Sequence, residues 1–459
     1  MTATINKKIN DSKAARWAVV VLVSLTMMSG YFLTDVMAPL KTMLEQSLGW
    51  TSTEYGLFTS GYGWLNVFAF MLIFSGIVLD KMGMRFTGVS ATATMLIGTA
   101  IKYWAISSTF ENNIISIFGY EMNRQVLYAA VGYAIFGVGV EAIGITASKI
   151  IAKWFKGKEL ALALGMNVAF GRIGTLLALV VSPIIARHYG HPSKPIMLCL
   201  VLLCVGLLSF FMFCISDRKL DKQLGEDNEV EKEDFKFSDI VSIVKIKAFW
   251  YIAFLCLMFY SAIFPFLKFA TELMVQKFHV GQDLAGTIPG LIPMGTLLLT
   301  PLFGSIYDRK GKGATIMVIG SLMLIAVHVL LSMPFITWWI LAALLMIILG
   351  VAFSLVPSAM WPSVTKIVPQ RQLGTAFALI FYIQNWGLMG VPLLIGAVLE
   401  KYCITGTSMI DGFETTTYDY TLPMAIFAGF SIISLLFALL LKKEDRTKGY
   451  GLQEPNIKK

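Results

Sequence analysis

Twelve apolar stretches, each long enough to cross a bilayer, limit the folds that this chain can adopt. A membrane-spanning helix needs about 20 apolar residues, and backbone polar groups in lipid must be satisfied within the helix. Hydrophobic residues make up 56% of the sequence and charged residues only 14%, against roughly 45 to 50% and 25% in soluble domains. We therefore predict an all-α membrane protein with twelve transmembrane helices. The stretches lie at residues 17–40, 55–79, 86–107, 127–151, 160–185, 195–215, 248–271, 284–307, 314–333, 337–358, 373–398 and 422–441.

The distribution of basic residues predicts how the chain is oriented in the membrane. The formal net charge is +9, and lysine and arginine cluster in alternate loops between the apolar stretches. Because short loops rich in these residues stay on the cytoplasmic side, we expect both termini to be cytoplasmic. Since this topology accounts for the positive charge, we expect no nucleic-acid partner. The loops contain Lys81 and Arg85; Lys153, Lys156 and Lys158; Arg309, Lys310 and Lys312; and Lys366 and Arg371.

The apolar stretches divide into two groups of six. We predict a cytoplasmic N-terminus at residues 1–16, an N-terminal six-helix bundle at 17–215 and a C-terminal six-helix bundle at 248–441. Between the bundles, residues 216–247 contain an acidic run that cannot lie in lipid. This segment is predicted to be a cytoplasmic connector with a helix at its end, and residues 442–459 are predicted to be a cytoplasmic tail.

Two sequence repeats relate the bundles to each other. The pattern Gly-x-x-x-Asp follows both the second and the eighth stretch, where Asp80 and Asp308 stand 228 residues apart. A second repeat pairs Gly174 with Gly387 at a separation of 213 residues. Duplicated six-helix halves are typical of transporters that rock around a substrate site near the middle of the membrane. We therefore predict two pseudo-symmetric bundles.

The Gly-x-x-x-Asp turn predicts a gate on the cytoplasmic side. Glycine permits a tight turn, and the aspartate can lie at a helix N-terminus or pair with basic residues of a neighbouring helix. Such pairs would hold the two halves together when the cytoplasmic side closes, and the alternative is a solvated turn without this role. The predicted gate residues are Asp80, Lys81, Arg85, Asp308 and Arg309.

Two opposite charges, Glu141 and Arg172, stand inside apolar stretches on either side of a short basic turn. If the chain turns near Gly157, both lie ~18 to 20 Å from the turn at about 1.5 Å per residue, near the middle of a bilayer core of roughly 30 Å. Intramembrane charges usually mark a pair, a cavity or a pathway. A zwitterion such as a dipeptide needs one anion and one cation, which these residues supply. The alternative is a structural salt bridge between two helices.

Other polar residues within the stretches are candidates for the same site. Asp35 could bind an ammonium group, carry a proton or cap a helix, and we expect Lys268 and Glu272 to pair because they stand four residues apart. Amide and aromatic side chains can line a cavity, but they also pack helices together in membranes. The remaining candidates for substrate contact are Asn385, Gln384, Tyr62, Trp64 and Tyr260.

The sequence contains no motif of an enzyme, a cofactor site or a metal site. HExxH, GxSxG, CxxC and glycine-rich phosphate loops are all absent from it, and each of these would be needed for a particular chemistry. We therefore expect no catalytic activity, no cofactor and no bound metal.

The sequence resembles the major facilitator superfamily, whose members carry Gly-x-x-x-Asp-Arg-x-Gly after their second and eighth helices; Lys81 replaces the arginine in the first copy. A further set of motifs is similar to those of the superfamily's lysosomal dipeptide-transporter branch. This resemblance implies a two-bundle fold, and it implies that Glu141 and Arg172 serve the substrate site. The motifs are Tyr31-Phe32 with Asp35, Tyr62-Gly-Trp64-Leu-Asn66, Trp154-Phe-Lys-Gly-Lys-Glu-Leu, Arg172-Ile-Gly, Phe264-Pro-Phe, Trp361-Pro and Gln372-Leu-Gly-Thr-Ala.

These features predict a secondary transporter that moves dipeptides by alternating access. A Glu141 carboxylate paired with Arg172 would stay charged and carry protons poorly, so we expect facilitated uniport. The alternatives are an organic-anion exchanger or a proton-coupled symporter of the same superfamily and, more remotely, a membrane sensor. No dileucine sorting signal occurs in residues 1–16, so we expect the cell (inner) membrane. We also expect a monomer without an accessory subunit, in contact with the lipid bilayer.

Overall fold

The computed structural model describes residues 8–110, 113–117, 120–155, 158–224, 237–410 and 412–456. The acidic run of the connector and the turn predicted near Gly157 lie outside these residues. The helices of the N-terminal half are α1 (Lys13–Asp35), α2 (Lys41–Leu48), α3 (Ser52–Phe68), α4 (Met71–Ser107), α5 (Arg124–Trp154), α6 (Leu160–His188) and α7 (Lys194–Leu224). The predicted helix at the end of the connector is α8 (Phe237–Val244).

The C-terminal half repeats this all-helical construction. Its helices are α9 (Lys247–Ser261), α10 (Phe264–Gln276), α11 (Gln282–Ala285), α12 (Thr287–Lys310), α13 (Gly313–Ser332), α14 (Trp339–Ile367), α15 (Leu373–Tyr402) and α16 (Thr421–Lys448). The break between α9 and α10 lies beside Pro265, whose missing N–H is tolerated in the first turn of a helix.

The number of membrane crossings follows from helix length. Ten helical segments of the described chain are long and apolar enough to cross a membrane, and the pair α3 and α4, bent by 56° at its break, counts as an eleventh. Helix α4 has 37 residues and contains non-helical backbone at Gly83. Because α3 and α4 together would extend roughly 80 Å at 1.5 Å per residue, more than twice the hydrocarbon thickness, this segment must cross twice. That brings the crossings to twelve.

The glycines of the repeated turn have the same backbone conformation in both halves. Gly83 and Gly311 stand at equivalent positions of the repeat, and both have left-handed backbone, with φ of 80° and 69°. Glycine adopts this region at no steric cost, whereas a residue with a Cβ is strained there. The tight turn predicted from the repeat is therefore present twice.

The second repeat produces the same close helix packing in each half. A Cβ on Gly174 of α6 would lie 2.2 Å from the carbonyl oxygen of Met28 in α1. A Cβ on Gly387 of α15 would lie 2.0 Å from Oγ of Ser261 in α9. In both halves glycine thus lets the fifth crossing lie directly against the first.

We call the end of the molecule that contains Asp80 the Asp80 end, and the opposite end the far end. The two halves are joined at the far end. There α3 packs on α15, and a Cβ on Gly396 would lie 2.3 Å from the carbonyl oxygen of Ser52. Helix α6 packs on α12, and a Cβ on Gly286 would lie 2.2 Å from the carbonyl oxygen of Leu179. Glycine is required for contact this close between backbones.

Contacts between the halves end before they reach the Asp80 end. The aromatic pairs Phe70 with Tyr382 and Phe68 with Trp386 have ring centroids 5.3 and 6.1 Å apart. Between described residues, no ion pair or hydrogen bond joins the halves nearer to the Asp80 end than these rings. The halves are therefore closed together at the far end and separated at the Asp80 end.

Two β-hairpins cover the far end, and the sequence reasoning did not predict them. Strand β1 (Ile114–Ile117) pairs antiparallel with β2 (Tyr120–Asn123), and β3 (Ile404–Ile410) pairs antiparallel with β4 (Phe413–Tyr418). Isoleucine or threonine recurs in β1, β3 and β4, and both residue types favour extended backbone. The membrane-spanning part is all-α as predicted, but the loops after α4 and α15 are partly strand.

Candidate functional site

Glu141 on α5 is held by a tyrosine of a neighbouring helix. Its Oε1 accepts a hydrogen bond from the hydroxyl of Tyr62 on α3 at 2.7 Å, and both side chains are partly exposed. The two helices approach closely because a Cβ on Gly137 would lie 2.3 Å from the carbonyl oxygen of Tyr62. Tyr62 is therefore a positioned donor to the Glu141 carboxylate.

Arg172 on α6 is surrounded by aromatic rings. Its guanidinium carbon lies 4.5 Å from the ring centroid of Phe353, 5.8 Å from that of Phe264 and 6.0 Å from that of Tyr31. Phe353 on α14 and Phe264 on α10 belong to the C-terminal half, so this contact crosses between the halves. No hydrogen bond or ion pair links Arg172 to the described residues, which leaves its N–H donors available to a ligand.

Glu141 and Arg172 do not form the ion pair that the argument for uniport assumed. The salt bridges between described residues do not include this pair. Each of the two charged groups contacts a different neutral group instead. The hydroxyl of Tyr62 supplies one partner and the ring of Phe353 supplies the other. The alternative of a structural salt bridge is likewise not what this conformation contains.

Two amide side chains approach from the C-terminal half. Asn385 is fully buried on α15 beside Glu141, and its Nδ2 donates to the carbonyl oxygen of Phe381 at 3.0 Å. Its Oδ1 is buried without a hydrogen-bond partner. Oε1 of Gln384 accepts a hydrogen bond from Sγ of Cys256 at 3.4 Å. Asn385 stands at the position equivalent to Arg172, so the two halves place an amide and a guanidinium at corresponding points.

The remaining two aromatic candidates differ in their surroundings. Tyr260 stacks on Phe264 with centroids 5.3 Å apart, and its hydroxyl accepts a hydrogen bond from Nε1 of Trp361 at 3.3 Å. Tyr260 thus belongs to the aromatic group around Arg172. Trp64 donates to Oγ of Ser60 within its own helix at 3.0 Å.

Asp35 lies in an ion pair that joins the halves at the far end. Nζ of Lys268 on α10 lies 2.6 Å from Oδ1 of Asp35 on α1, and both side chains are almost fully buried. The expected pairing of Lys268 with Glu272 is wrong, because Glu272 instead lies 2.7 Å from Nζ of Lys41. Each residue finds its partner in the opposite half, where it also closes the far end.

A second acid completes the cluster around Lys41. Oε1 of Glu45 lies 2.5 Å from Nζ of Lys41 and accepts a hydrogen bond from the hydroxyl of Tyr418 at 3.3 Å. Burial raises the pKa of the Tyr418 hydroxyl to about 12, so this group stays protonated and keeps donating at neutral pH. Sequence reasoning missed Lys41; a lysine directly after an apolar stretch was the available signal.

The predicted gate residues at the Asp80 end contact only their own half. Asp80 pairs with Lys149 at 2.5 Å, and both side chains are about half exposed. Lys81 and Arg309 are exposed. The other two reach into their own half: Arg85 contacts Asp217 and Asp221 at 3.1 and 2.6 Å, and Asp308 accepts a hydrogen bond from Asn456 at 2.7 Å. Their role as a gate stays a prediction.

A model of the Major Facilitator Superfamily matches residues 20–392 of the chain. The chain belongs to this superfamily. Its fold is accordingly that of a secondary transporter with two helical bundles, and the protein is a membrane transporter and not an enzyme.

Relatives and solved structures agree with this membership. The lysosomal dipeptide transporter MFSD1 of Bos taurus is 26% identical over 457 residues, which cover 96% of this chain and 88% of that protein. The nucleoside transporter NupG has a TM-score of 0.67 at 17% identity over 93% of this chain and 99% of its own. The xylose transporter XylE from E. coli, in an inward open conformation, has a TM-score of 0.69 at 16% identity over 93% and 96%.

Proposed function

We propose that this superfamily member carries dipeptides across a membrane by alternating access. The observation that carries the proposal is a carboxylate, Glu141, and a guanidinium, Arg172, that are partly exposed between the halves and not paired with each other. The ends of a dipeptide are an ammonium and a carboxylate, which match these two charges. The similarity to lysosomal dipeptide transporters over nearly the whole chain supports the same substrate class.

The chemistry of each group assigns it to one end of the peptide. Arginine presents a planar fork that donates two parallel hydrogen bonds to a carboxylate. Glu141 accepts from an ammonium group while Tyr62 holds its other side. We assign the buried Asn385 amide to holding the Glu141 carboxylate in place. We assign Gln384 and Tyr260 to the wall around the substrate side chains, together with Trp64, and Asp35 to closure of the far end.

The conformation described above corresponds to one stage of the transport cycle. If both termini are cytoplasmic, as the basic loops predict, the Asp80 end is the cytoplasmic end. The buried pairs of Lys41 with Glu272 and of Asp35 with Lys268 then close the external side. The substrate site in this state communicates with the cytoplasm.

The coupling of transport depends on whether Glu141 carries a proton. Facilitated uniport was predicted from a Glu141–Arg172 ion pair, and the absence of that pair removes the argument against Glu141 as a proton carrier. We retain uniport in the cell (inner) membrane by a monomer as the working hypothesis. An imposed pH gradient tests it directly.

The decisive experiment is dipeptide counterflow in proteoliposomes, with and without a pH gradient. We expect unlabelled dipeptide inside the vesicles to drive transient accumulation of labelled dipeptide, and amino-acetylated peptides to compete poorly. Concentrative uptake driven by the pH gradient alone would overturn uniport. Counterflow with small organic dianions but with no dipeptide would overturn the substrate class.

A further inference from the structure

The Arg172 guanidinium belongs to the N-terminal half and contacts a ring of the C-terminal half. The Arg172 guanidinium comes from α6 and lies over the ring of Phe353, which belongs to α14. The Arg172 guanidinium forms no hydrogen bond with a described residue, so its N–H donors stay free to bind a carboxylate. The contact therefore holds Arg172 without occupying the groups that recognise an anion.

Phe353 itself is fixed by its neighbours. Its side chain is 2% exposed, and its ring meets Phe264 at a centroid distance of 5.3 Å and Tyr260 at 5.9 Å, both edge to face. Edge-to-face packing of this kind restrains the position of a ring. The surface offered to Arg172 is consequently rigid.

Without such a surface, the two central charges would be expected to meet. Glu141 and Arg172 lie on the consecutive helices α5 and α6 of the same half, where both are partly exposed, and opposite charges attract. The groups beside the Glu141 carboxylate, the Tyr62 hydroxyl and the Asn385 amide, are both neutral. An ion pair between Glu141 and Arg172 would close the site to a zwitterion.

We propose that Phe353 is a positioning residue that keeps Arg172 apart from Glu141 in the empty transporter, so that both charges are ready for the two ends of a substrate. The separation of the charges is a property of the protein alone, whereas its benefit for a zwitterion rests on the function proposed above. Because Phe353 belongs to the C-terminal half, the charges stay apart only while that half lies against Arg172.

A double-mutant cycle on the protein without ligand tests the separation. Phe353→Leu removes the ring and keeps an apolar side chain, so Arg172 should then pair with Glu141. Adding Glu141→Gln should lower the melting temperature by several degrees more in the Phe353→Leu background than in the wild type. Equal effects of Glu141→Gln in both backgrounds would overturn the proposal.

Two further variants separate this role from ordinary packing. Phe353→Tyr retains the ring face and should behave as the wild type in the cycle. The control residue is Phe427, whose ring packs on Phe266 and His328 and not on Arg172. Phe427→Leu should destabilise the protein without any coupling to Glu141→Gln. Coupling of the same size in the Phe427→Leu background would also overturn the proposal.

Binding measurements then connect the separation to the substrate. Phe353→Leu should weaken dipeptide binding about tenfold, in keeping with the strength of a desolvated cation–π contact, and Phe353→Tyr should restore it. If the wild type binds no dipeptide while the ligand-free cycle shows the expected coupling, the proposed substrate is wrong and the role of Phe353 stands. Normal dipeptide affinity in Phe353→Leu would overturn that role and leave the substrate class intact.

Discussion

Arg172 and Glu141 remain available because their partners in the protein are weak ones. A stacked ring contributes roughly 0.5 to 2 kcal/mol to a cation, and a hydrogen bond to a charged group contributes about 1.5 to 3 kcal/mol. A ligand with both charges can add stronger contacts to both residues while these contacts remain. In the empty site, both charged groups therefore lack a partner of opposite charge among the described residues.

The geometry of the Arg172 guanidinium predicts that lysine cannot replace it. Arg172→Lys retains the charge and its contact with the Phe353 ring but loses the bidentate fork. Dipeptide affinity should fall by about 1.5 to 3 kcal/mol, and Arg172→Ala should bind more weakly still. Ligand-induced thermal shifts measure both effects. Wild-type affinity in Arg172→Ala would contradict a role for this residue in binding.

The Glu141 carboxylate should determine the preference for a free amino terminus. Glu141→Gln keeps the shape of the side chain and its hydrogen bond with Tyr62, but it removes the negative charge. Peptides with a free amino terminus should bind at least tenfold more weakly to this variant, whereas amino-acetylated peptides should change little. Competition against a labelled dipeptide measures the ratio. An equal loss for both peptide types would contradict the assignment.

Sequence reasoning found the charged residues of the site but not their partners. Glu141 and Arg172 stand out because a charge inside an apolar stretch is costly. Phe353 could not be found in the same way, since a phenylalanine is an ordinary residue in an apolar stretch and acquires its role from a helix 181 residues away in the sequence. Lys268 was paired wrongly because spacing along one helix says nothing about a partner in the other half.

Individual helices determine how closely the halves can approach at the far end. The crossing formed by α3 meets α15 at Gly56 and Gly396, where a Cβ on either glycine would lie within 3.2 Å of the Cα of the other. Sequence reasoning predicted the helices and the repeated turns, because periodic apolar runs and left-handed glycines leave local signals. It predicted neither this contact nor the hairpins, since both depend on segments distant in the chain.

A methyl group at the contact between α3 and α15 should hold the far end open. Gly396→Ala would place a Cβ 2.3 Å from the carbonyl oxygen of Ser52, so the closed conformation should be disfavoured and transport should slow several-fold. The matched control is Gly390→Ala on the same helix, where a Cβ has no neighbour within 4 Å. Counterflow rates compare the two. Equal rates in both variants would show that the contact does not limit closure.

The buried ion pair between α2 and α10 should stabilise the same closed conformation. Lys41→Met leaves Glu272 and Glu45 in a site where these side chains are 1% and 9% exposed. Loss of one partner of a buried pair costs roughly 3 to 5 kcal/mol, so the far end should open. Spin labels at the exposed residues Ser47 and Ser408, in a background without native cysteines, should move apart.

The control for this variant breaks an ion pair at the opposite end. Lys149→Met removes the partner of Asp80 in a pair that is 44% and 50% exposed, and such pairs contribute roughly 0 to 1 kcal/mol. The distance between labels at Ser47 and Ser408 should therefore stay as in the wild type. An unchanged distance in Lys41→Met as well would mean that the buried pair does not hold the far end closed.

The whole molecule is a pair of similar halves that meet at the far end. Two buried ion pairs and two close helix contacts join the halves at the far end, while the charged residues of the Asp80 end bind within their own halves. The repeats in the sequence predicted the two halves. The repeats could not predict which end is closed, because contacts between the halves at one end must be lost when contacts form at the other end.

Asp80 should act when the Asp80 end closes and not while that end is open. Its present partner, Lys149, belongs to the same half, so in this state Asp80 does not bind the halves together. Closure of the Asp80 end would bring the C-terminal half within reach of the Asp80 carboxylate. Asp80→Asn should thus destabilise the state with the far end open and leave the present state nearly unchanged.

The expected result is a loss of rate that exceeds the loss of affinity. In Asp80→Asn the maximal counterflow rate should fall several-fold, dipeptide affinity should change less than twofold, and cysteines introduced at the Asp80 end should react faster with thiol reagents. Lys149→Met separates this role from the exposed pair, because it retains the Asp80 carboxylate and should transport nearly as the wild type. Equal losses of rate and affinity in Asp80→Asn, with unchanged thiol reactivity, would show that Asp80 does not hold the closed end together.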